Sequence, residues 1–129
     1  MADVRVEGVD GLAASFDRIA AEIPKTLQGV VKKGAQNIKD DWRRRWSHIA
    51  HAPRLRRAVT YDVHVNKSRI WAEIGPVEGP ELQGFLGPII EYGGIHNAPI
   101  PGGVPASDAE APRFERAIAD AVDGLVSRL

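Results

Sequence analysis

The sequence predicts an α+β domain: a small antiparallel sheet packed against one long amphipathic helix and a C-terminal helix. Three observations predict it. Apolar residues recur at helical spacing from Leu27 to Ile49. Two alternating runs, "TYDVHV" and "RIWAEIGP", flank the turn formers of "NKSR". A second helical pattern follows Pro112 near the end of the chain.

Each element has its own warrant. "VRVEGV" alternates and stops at Gly8, so Val4 to Glu7 reads as a short strand. Leu12, Phe16, Ile19 and Ile23 then line one face of a helix. Asp10 is placed to accept N–H groups at its start, and Pro24 to end or kink it. The longest element follows. Leu27, Val31, Ala35, Ile38, Trp42, Trp46 and Ile49 trace one face, while Lys32, Lys33, Lys39, Arg43 and Arg44 fall mostly off it. The result is an amphipathic helix of roughly 25 residues, longer than the ~11–12 residue mean. Trp42 and Trp46 are its expected core anchors. Gly29 and Gly34 weaken it by up to ~1 kcal/mol each relative to alanine, or else admit a close neighbour. Pro53 disfavours helical geometry in the residue before it, so the helix is expected to stop near Ala52.

"RLRRAVTYDVHV" alternates loosely at first, then clearly through Tyr61, Val63 and Val65. Ile70, Ala72 and Ile74 alternate against Trp71 and Glu73, and the two runs form an antiparallel hairpin. From Gly75 to Glu110 prolines and glycines dominate, so a long loop is expected over about 76–110. Within it "FLGPIIEYG" has room for one helical turn with its apolar side chains packed inward. The last helix is expected to start near Pro112, where a missing N–H costs little. Phe114, Ile118, Ala121, Val122, Leu125 and Leu129 form its apolar face. Ser107 and Glu110 mimic a capping box but belong, on this reading, to a separate turn.

The 129 residues suit a single domain, 1–129, able to bury a core without staples. Absence of cysteine excludes disulfides, thiolate metal sites and thiol nucleophiles. No apolar run reaches membrane-spanning length, so no membrane association is expected. "MADVRVEGVD" is unlike a signal peptide, which points away from export by the general route. Formal net charge is zero but unevenly spread. Residues 25–57 hold ten Lys/Arg against two Asp, and residues 70–129 hold three basic against nine acidic residues. A basic middle with acidic ends suits self-assembly or docking on a charged partner.

"IIEYGGIHNAPIPGG" gathers a carboxylate, a phenol, an imidazole and an amide, and reads either as an active-site loop or as a docking loop. Glu91, Tyr92 and His96 have the chemistry for acid, base and orienter. No second carboxylate, serine nucleophile or glycine-rich phosphate loop stands at the spacing that such sites need. Tyr92 and Ile95 are therefore expected to pack beneath the loop, and Glu91 to pair with an arginine or accept backbone N–H bonds. His48 and His51 are two possible metal ligands where a zinc site wants three or four. Near a helix C-terminus their simpler reading is a favourable contact with its dipole. No metal or cofactor is expected. "DDWRRRWSH" invites a nucleic-acid reading, with Arg on phosphate and Trp stacked on bases, through the basic segment 25–57. The spacing of Trp42 and Trp46 instead assigns them to the apolar face.

Taken in order, these pieces resemble the tail-component family of long-tailed bacteriophages, whose members are called neck, tail-completion or head–tail connector proteins. The resemblance rests on "VEGVDGLAASFDRIA" leading into a basic-striped helix, "PRLRRAVTYDVHV" and "RIWAEIGP" as hairpin strands, Glu91-Tyr92-Gly93 after the hairpin, and Pro112-Arg113-Phe114 opening the last helix. Two departures stand out: Pro53-Arg54-Leu55 is compressed and lacks a Thr-Gly step, and Arg113 separates the proline from the aromatic. The resemblance implies a non-enzymatic virion protein. It implies copies of the chain in a ring, commonly a hexamer, between a head–tail connector or stopper and a tail terminator or tail tube. The expected location is the virion neck or tail, with assembly in the host cytoplasm. Non-specific contact with DNA passing through the lumen is a further expectation. Lys32, Lys33, Lys39, Arg43, Arg44, Glu91, Tyr92 and His96 are the interface candidates, and Trp42, Trp46 and Phe114 the core anchors. The alternative reading is a small nucleic-acid-binding protein using helix 25–57.

Overall fold

A computed structural model describes residues 2–7, 17–79 and 82–128. The elements are strand β1 (Ala2–Glu7), helix α1 (Asp17–Arg45), a one-turn helix α2 (Leu55–Ala58), strands β2 (Val59–Val65) and β3 (Arg69–Pro76), a 3-10 turn (Gly84–Leu86), helix α3 (Gly87–Tyr92) and helix α4 (Gly103–Val126). The architecture is α+β. The strands form one antiparallel sheet in the order β1-β3-β2, so the first strand closes onto the far edge of the hairpin. Alternation sets the register. Val63 faces Ala72 and Tyr61 faces Ile74, and Ile70, Ala72 and Ile74 are buried toward the helices. On the outer face Trp71 is paired with His64, which stacks on it at 5.1 Å, while Arg69 covers it at 4.0 Å. Both contacts are same-face packing of the ordinary aromatic and cation–π kind, the first across strands and the second within β3.

Helix α1 is the spine. Every residue of the apolar series from Leu27 to Ile49 is buried, Trp42 and Trp46 among them. The helix nevertheless differs from expectation at both ends. It does not break at Pro24 but runs through it. An interior proline forfeits a backbone hydrogen bond and costs about 3 kcal/mol. Ile23 and Leu27 on either side are both buried, and each contributes ~1.5–3 kcal/mol, enough to offset the loss. The expected cap Asp10, with Leu12 and Phe16, lies outside the described residues, as does any side-chain role for Ile19.

At the other end α1 stops at Arg45, short of Ala52. The last helical bond is Trp46 N–H to the Trp42 carbonyl, and the Ser47 N–H then tightens onto the Arg44 carbonyl. The Ser47 hydroxyl also donates to that carbonyl at 2.6 Å, closing the terminus. The last-turn cations are therefore Arg43, Arg44 and Arg45. His48 and His51 sit beyond the helix, exposed, and do not cap its dipole. Ile49 and Ala52 stay in the core although their segment has left the helix.

Helix α4 starts at Gly103, nine positions before Pro112, so Ser107, Glu110 and Pro112 all lie within it. The expected long loop over 76–110 shrinks accordingly. Much of it is the 3-10 turn, α3 and the first turns of α4. Leu125 is buried, and Phe114, Ile118 and Ala121 pack against the core. Phe114 fits over Gly34 of α1, where an added Cβ would meet the ring at 2.8 Å. Next to it, Glu110 is buried between helices. Its carboxylate accepts from Asn37 Nδ2 of α1 at 3.2 Å and pairs with Arg113 at 2.7 Å. That pairing holds the Arg113 guanidinium above its ordinary pKa, through the hydrogen bond first and the charge second. A buried charge without such partners is costly.

Candidate functional site

The segment from Gln83 to Val104 is built around one carboxylate. Glu91 is only 7 % exposed. Its Oε1 and Oε2 accept the Gly102 N–H at 3.1 and 2.9 Å, and Oε1 accepts the Gly103 N–H at 3.0 Å. These are the orphan donors at the start of α4, where a negative charge also meets the positive end of the helix dipole. Glu91 thus caps a helix of its own chain from eleven residues upstream.

The two glycines are required by what lies behind them. A Cβ on Gly102 would sit 2.5 Å from Trp42 Cδ1, and one on Gly103 would sit 2.6 Å from Trp42 Cη2. The backbone lies flat against the indole. Trp46 stands edge-on to Trp42, with centroids 5.6 Å apart, and donates its Nε1–H to the Ile100 carbonyl at 2.8 Å. Ile100 N–H returns to the Ile90 carbonyl at 2.7 Å. Between these anchors the chain reverses through Gly93, at φ +83°, and a bridge between Gly94 and Asn97. Gln83 opens the segment in the left-handed region, at φ 60°, with its Oε1 accepting the Arg54 N–H.

The backbone is latched inward while its large apolar side chains face out. Phe85 is 57 % exposed, Ile89 46 %, Tyr92 66 % and Ile95 98 %, with Ile100 and Val104 also exposed. Phe85, Ile89 and Tyr92 follow at spacings of four and three, hence on one side of the 3-10 turn and α3. The expectation that Tyr92 and Ile95 pack beneath the loop is overturned, as is the inward packing of "FLGPIIEYG" for Phe85 and Ile89. Leu86 and Ile90 alone of its large aliphatic residues turn toward the core. Beside the latch lies a cleft of about 180 Å³ bounded by Trp42, Pro76, Gly87, Pro88, Glu91 and Tyr92. It is smaller than the usual ~300–1,000 Å³ of ligand pockets.

The other interface candidates divide. Lys32 and Lys33 are exposed on α1. Lys39 pairs with Asp40 at 3.2 Å and lies 5.7 Å from the Tyr61 ring. Arg43 is half-buried, its Nε–H donating to the Val59 carbonyl at 2.8 Å. Arg44 is exposed and pairs with Asp41, which Arg45 also reaches at 3.2 Å. His96 is exposed in the turn after Gly94. Glu91 directs its carboxylate to the start of α4, whereas Tyr92 is largely exposed, and the two share only the wall of the small cleft beside the latch.

Sequence reasoning overlooked two groups. Arg56 and Arg57 stand on α2, not on a strand, and with Asp40, Arg43, Arg44 and Ser47 they line an open cleft of about 420 Å³. The doublet in "RLRR" was the available signal. Gly102 and Gly103 were visible only as turn formers, because nothing in their spacing names Trp42 as the surface beneath them. Among the described residues no group of three or more His, Asp or Glu side chains is arranged to hold a metal, and no helix is long and apolar enough to cross a membrane. No protein family, curated protein or solved structure matches the chain.

Proposed function

We propose that the chain is a structural subunit that assembles into a ring, at the head–tail junction or the upper end of the tail tube of a siphophage-like particle. One observation carries the assembly part of this reading. Phe85, Ile89, Tyr92 and Ile95 are exposed on a segment whose backbone is hydrogen-bonded to Glu91 and Trp46 and packed on Trp42. Apolar side chains clustered on a braced surface favour association, because burying them recovers roughly 25 cal/mol per Å² without a large ordering cost. The order of the sequence motifs supports the phage assignment. On this reading the role involves no bond-making chemistry, and the neighbours are the connector or stopper on one side and the terminator or tube on the other.

The nucleic-acid alternative draws on the arginine cleft. The burial of Trp42 and Trp46 removes the aromatic platform it called on, leaving electrostatic contact with phosphate. The test is particle mass in solution across a concentration series, with electron microscopy of any rings. A closed assembly of defined copy number is expected. A monomer at every concentration, shifting a DNA duplex in a salt-dependent way, would replace this reading with the alternative.

A further inference from the structure

We propose that the arginine cleft at the end of α1 is one half of a head-to-tail contact, and that its occupant is the acidic outer face of α4 from a second copy of the chain. The inference rests on the assembly reading above and adds the direction of the contact. Two observations carry it. The cleft is walled by Arg43 and Arg44 from α1 and by Arg56 and Arg57 from α2, against the single carboxylate of Asp40. Its charge is only partly answered within the chain. Arg44 pairs with Asp41, and Asp40 is engaged by Lys39. Among the described residues no ion pair reaches Arg56 or Arg57. The α1 terminus accounts for Arg43 to Arg45 through the helix dipole, but it does not account for a second arginine pair on a separate element.

The complementary surface is on α4. Asp108, Glu115 and Asp123 are exposed and follow at spacings of seven and eight, which places them on one stripe of the helix. Asp120 flanks the stripe, and one exposed cation, Arg116, shares this face, which remains net acidic with four carboxylates against one guanidinium. Among the described residues none of the four is ion-paired within the chain. The inner face of α4 is already occupied by α1, through Phe114 on Gly34 and Glu110 on Asn37, so this stripe faces away from the core. The carboxylate stripe and the guanidinium cleft lie on different parts of one neutral chain, and the proposed contact repeats in one sense from copy to copy, not reciprocally about a two-fold axis. They join unlike faces, the geometry that closes into rings or runs into filaments. Opposite charge would set register and speed of encounter, while the apolar surface of Phe85, Ile89 and Tyr92 supplies affinity.

The test is a charge swap between two variants of the full chain. Arg56→Glu/Arg57→Glu spoils the cleft, and Glu115→Lys/Asp123→Lys spoils the stripe. Each alone is expected to weaken self-association at least tenfold, with circular dichroism and thermal melting unchanged. A one-to-one mixture is expected to reassemble, since each spoiled surface now matches the other variant's spoiled partner. Wild-type assembly is expected to weaken as salt rises. If either variant alone assembles like wild type, the contact is elsewhere and the proposal fails, while rings of wild type would leave the assembly reading standing. Two folded variants that stay apart when mixed would also overturn it. If Arg56→Glu/Arg57→Glu assembles normally but loses a 20-base-pair duplex that wild type binds, the cleft is a phosphate site instead. A wild-type monomer at every concentration would overturn both the proposal and the reading beneath it.

Discussion

The inner face of α1 and the segment from Gln83 to Val104 use large apolar residues in opposite ways. Along α1 every apolar residue of the repeating series is buried, and burial is what holds the helix to the sheet. In the later segment Phe85, Ile89, Tyr92 and Ile95 are exposed, and the chain is held by hydrogen bonds instead: Glu91 to Gly102 and Gly103, Trp46 to Ile100, Ile100 to Ile90. The two regions meet at Trp42, which is both the end of the helical stripe and the floor under the glycine pair. The difference teaches that order in this molecule has two sources. One is apolar area removed from water, and the other is a few polar latches that hold the backbone while large apolar side chains stay exposed.

The largest test breaks the meeting point. Trp42→Ala removes the floor from one region and the terminal anchor from the other, and should cost about 3–5 kcal/mol in urea unfolding. A loss below ~1 kcal/mol would mean that the two regions are not joined there. Next, Glu91→Ala orphans the Gly102 and Gly103 N–H groups and should cost about 2–3 kcal/mol. Amide exchange should then quicken in the first turn of α4 and stay unchanged in the middle of α1. Equal quickening in both would erase the distinction drawn here.

Two glycines of α1 sharpen the comparison from the other side. Gly34→Ala places a Cβ 2.8 Å from the Phe114 ring and should destabilise by about 1–2 kcal/mol, the cost of overpacking less the gain in helix propensity. Gly29→Ala meets no atom within 4 Å and should stabilise by up to ~1 kcal/mol. The opposite ordering of the two midpoints would contradict the packing described. Smallest in stability is the double change Phe85→Ser/Tyr92→Ser, expected to cost no more than about 1 kcal/mol because more than half of each residue is already exposed. Its effect should appear in assembly, as a loss of higher-mass species by light scattering. Unchanged assembly would remove the exposed cluster as the interface.

Much of the fold was legible before the structure. The spacing from Leu27 to Ile49 named the core face residue by residue, and the alternation of β3 named its buried side. The misplaced boundaries share a cause. Pro24 is a local stop signal and Pro112 a local start signal, yet both lie inside helices. The Gly103 start of α4 depends on a cap contributed by Glu91, and α1 ends early where Ser47 turns its terminus, with Trp46 tied to Ile100. None of these signals is periodic. The outward turn of Tyr92 and Ile95 was missed for a related reason: apolar character does not by itself say which side of a short helix faces water.

By itself, then, the sequence determined the helical stripe of α1, the alternation and pairing of the hairpin, the absence of thiol chemistry and the division of charge into basic middle and acidic ends. Those follow from residue type and spacing along one element. Tertiary structure alone decided that the partners of Glu91 are backbone N–H groups at the start of α4 and not an arginine, that Gly102 and Gly103 rest on Trp42, and that Arg43 and Arg44 share a cleft with Arg56 and Arg57. Each of these joins residues from different elements, and their distance in space is set by how the elements pack and not by their spacing in the chain.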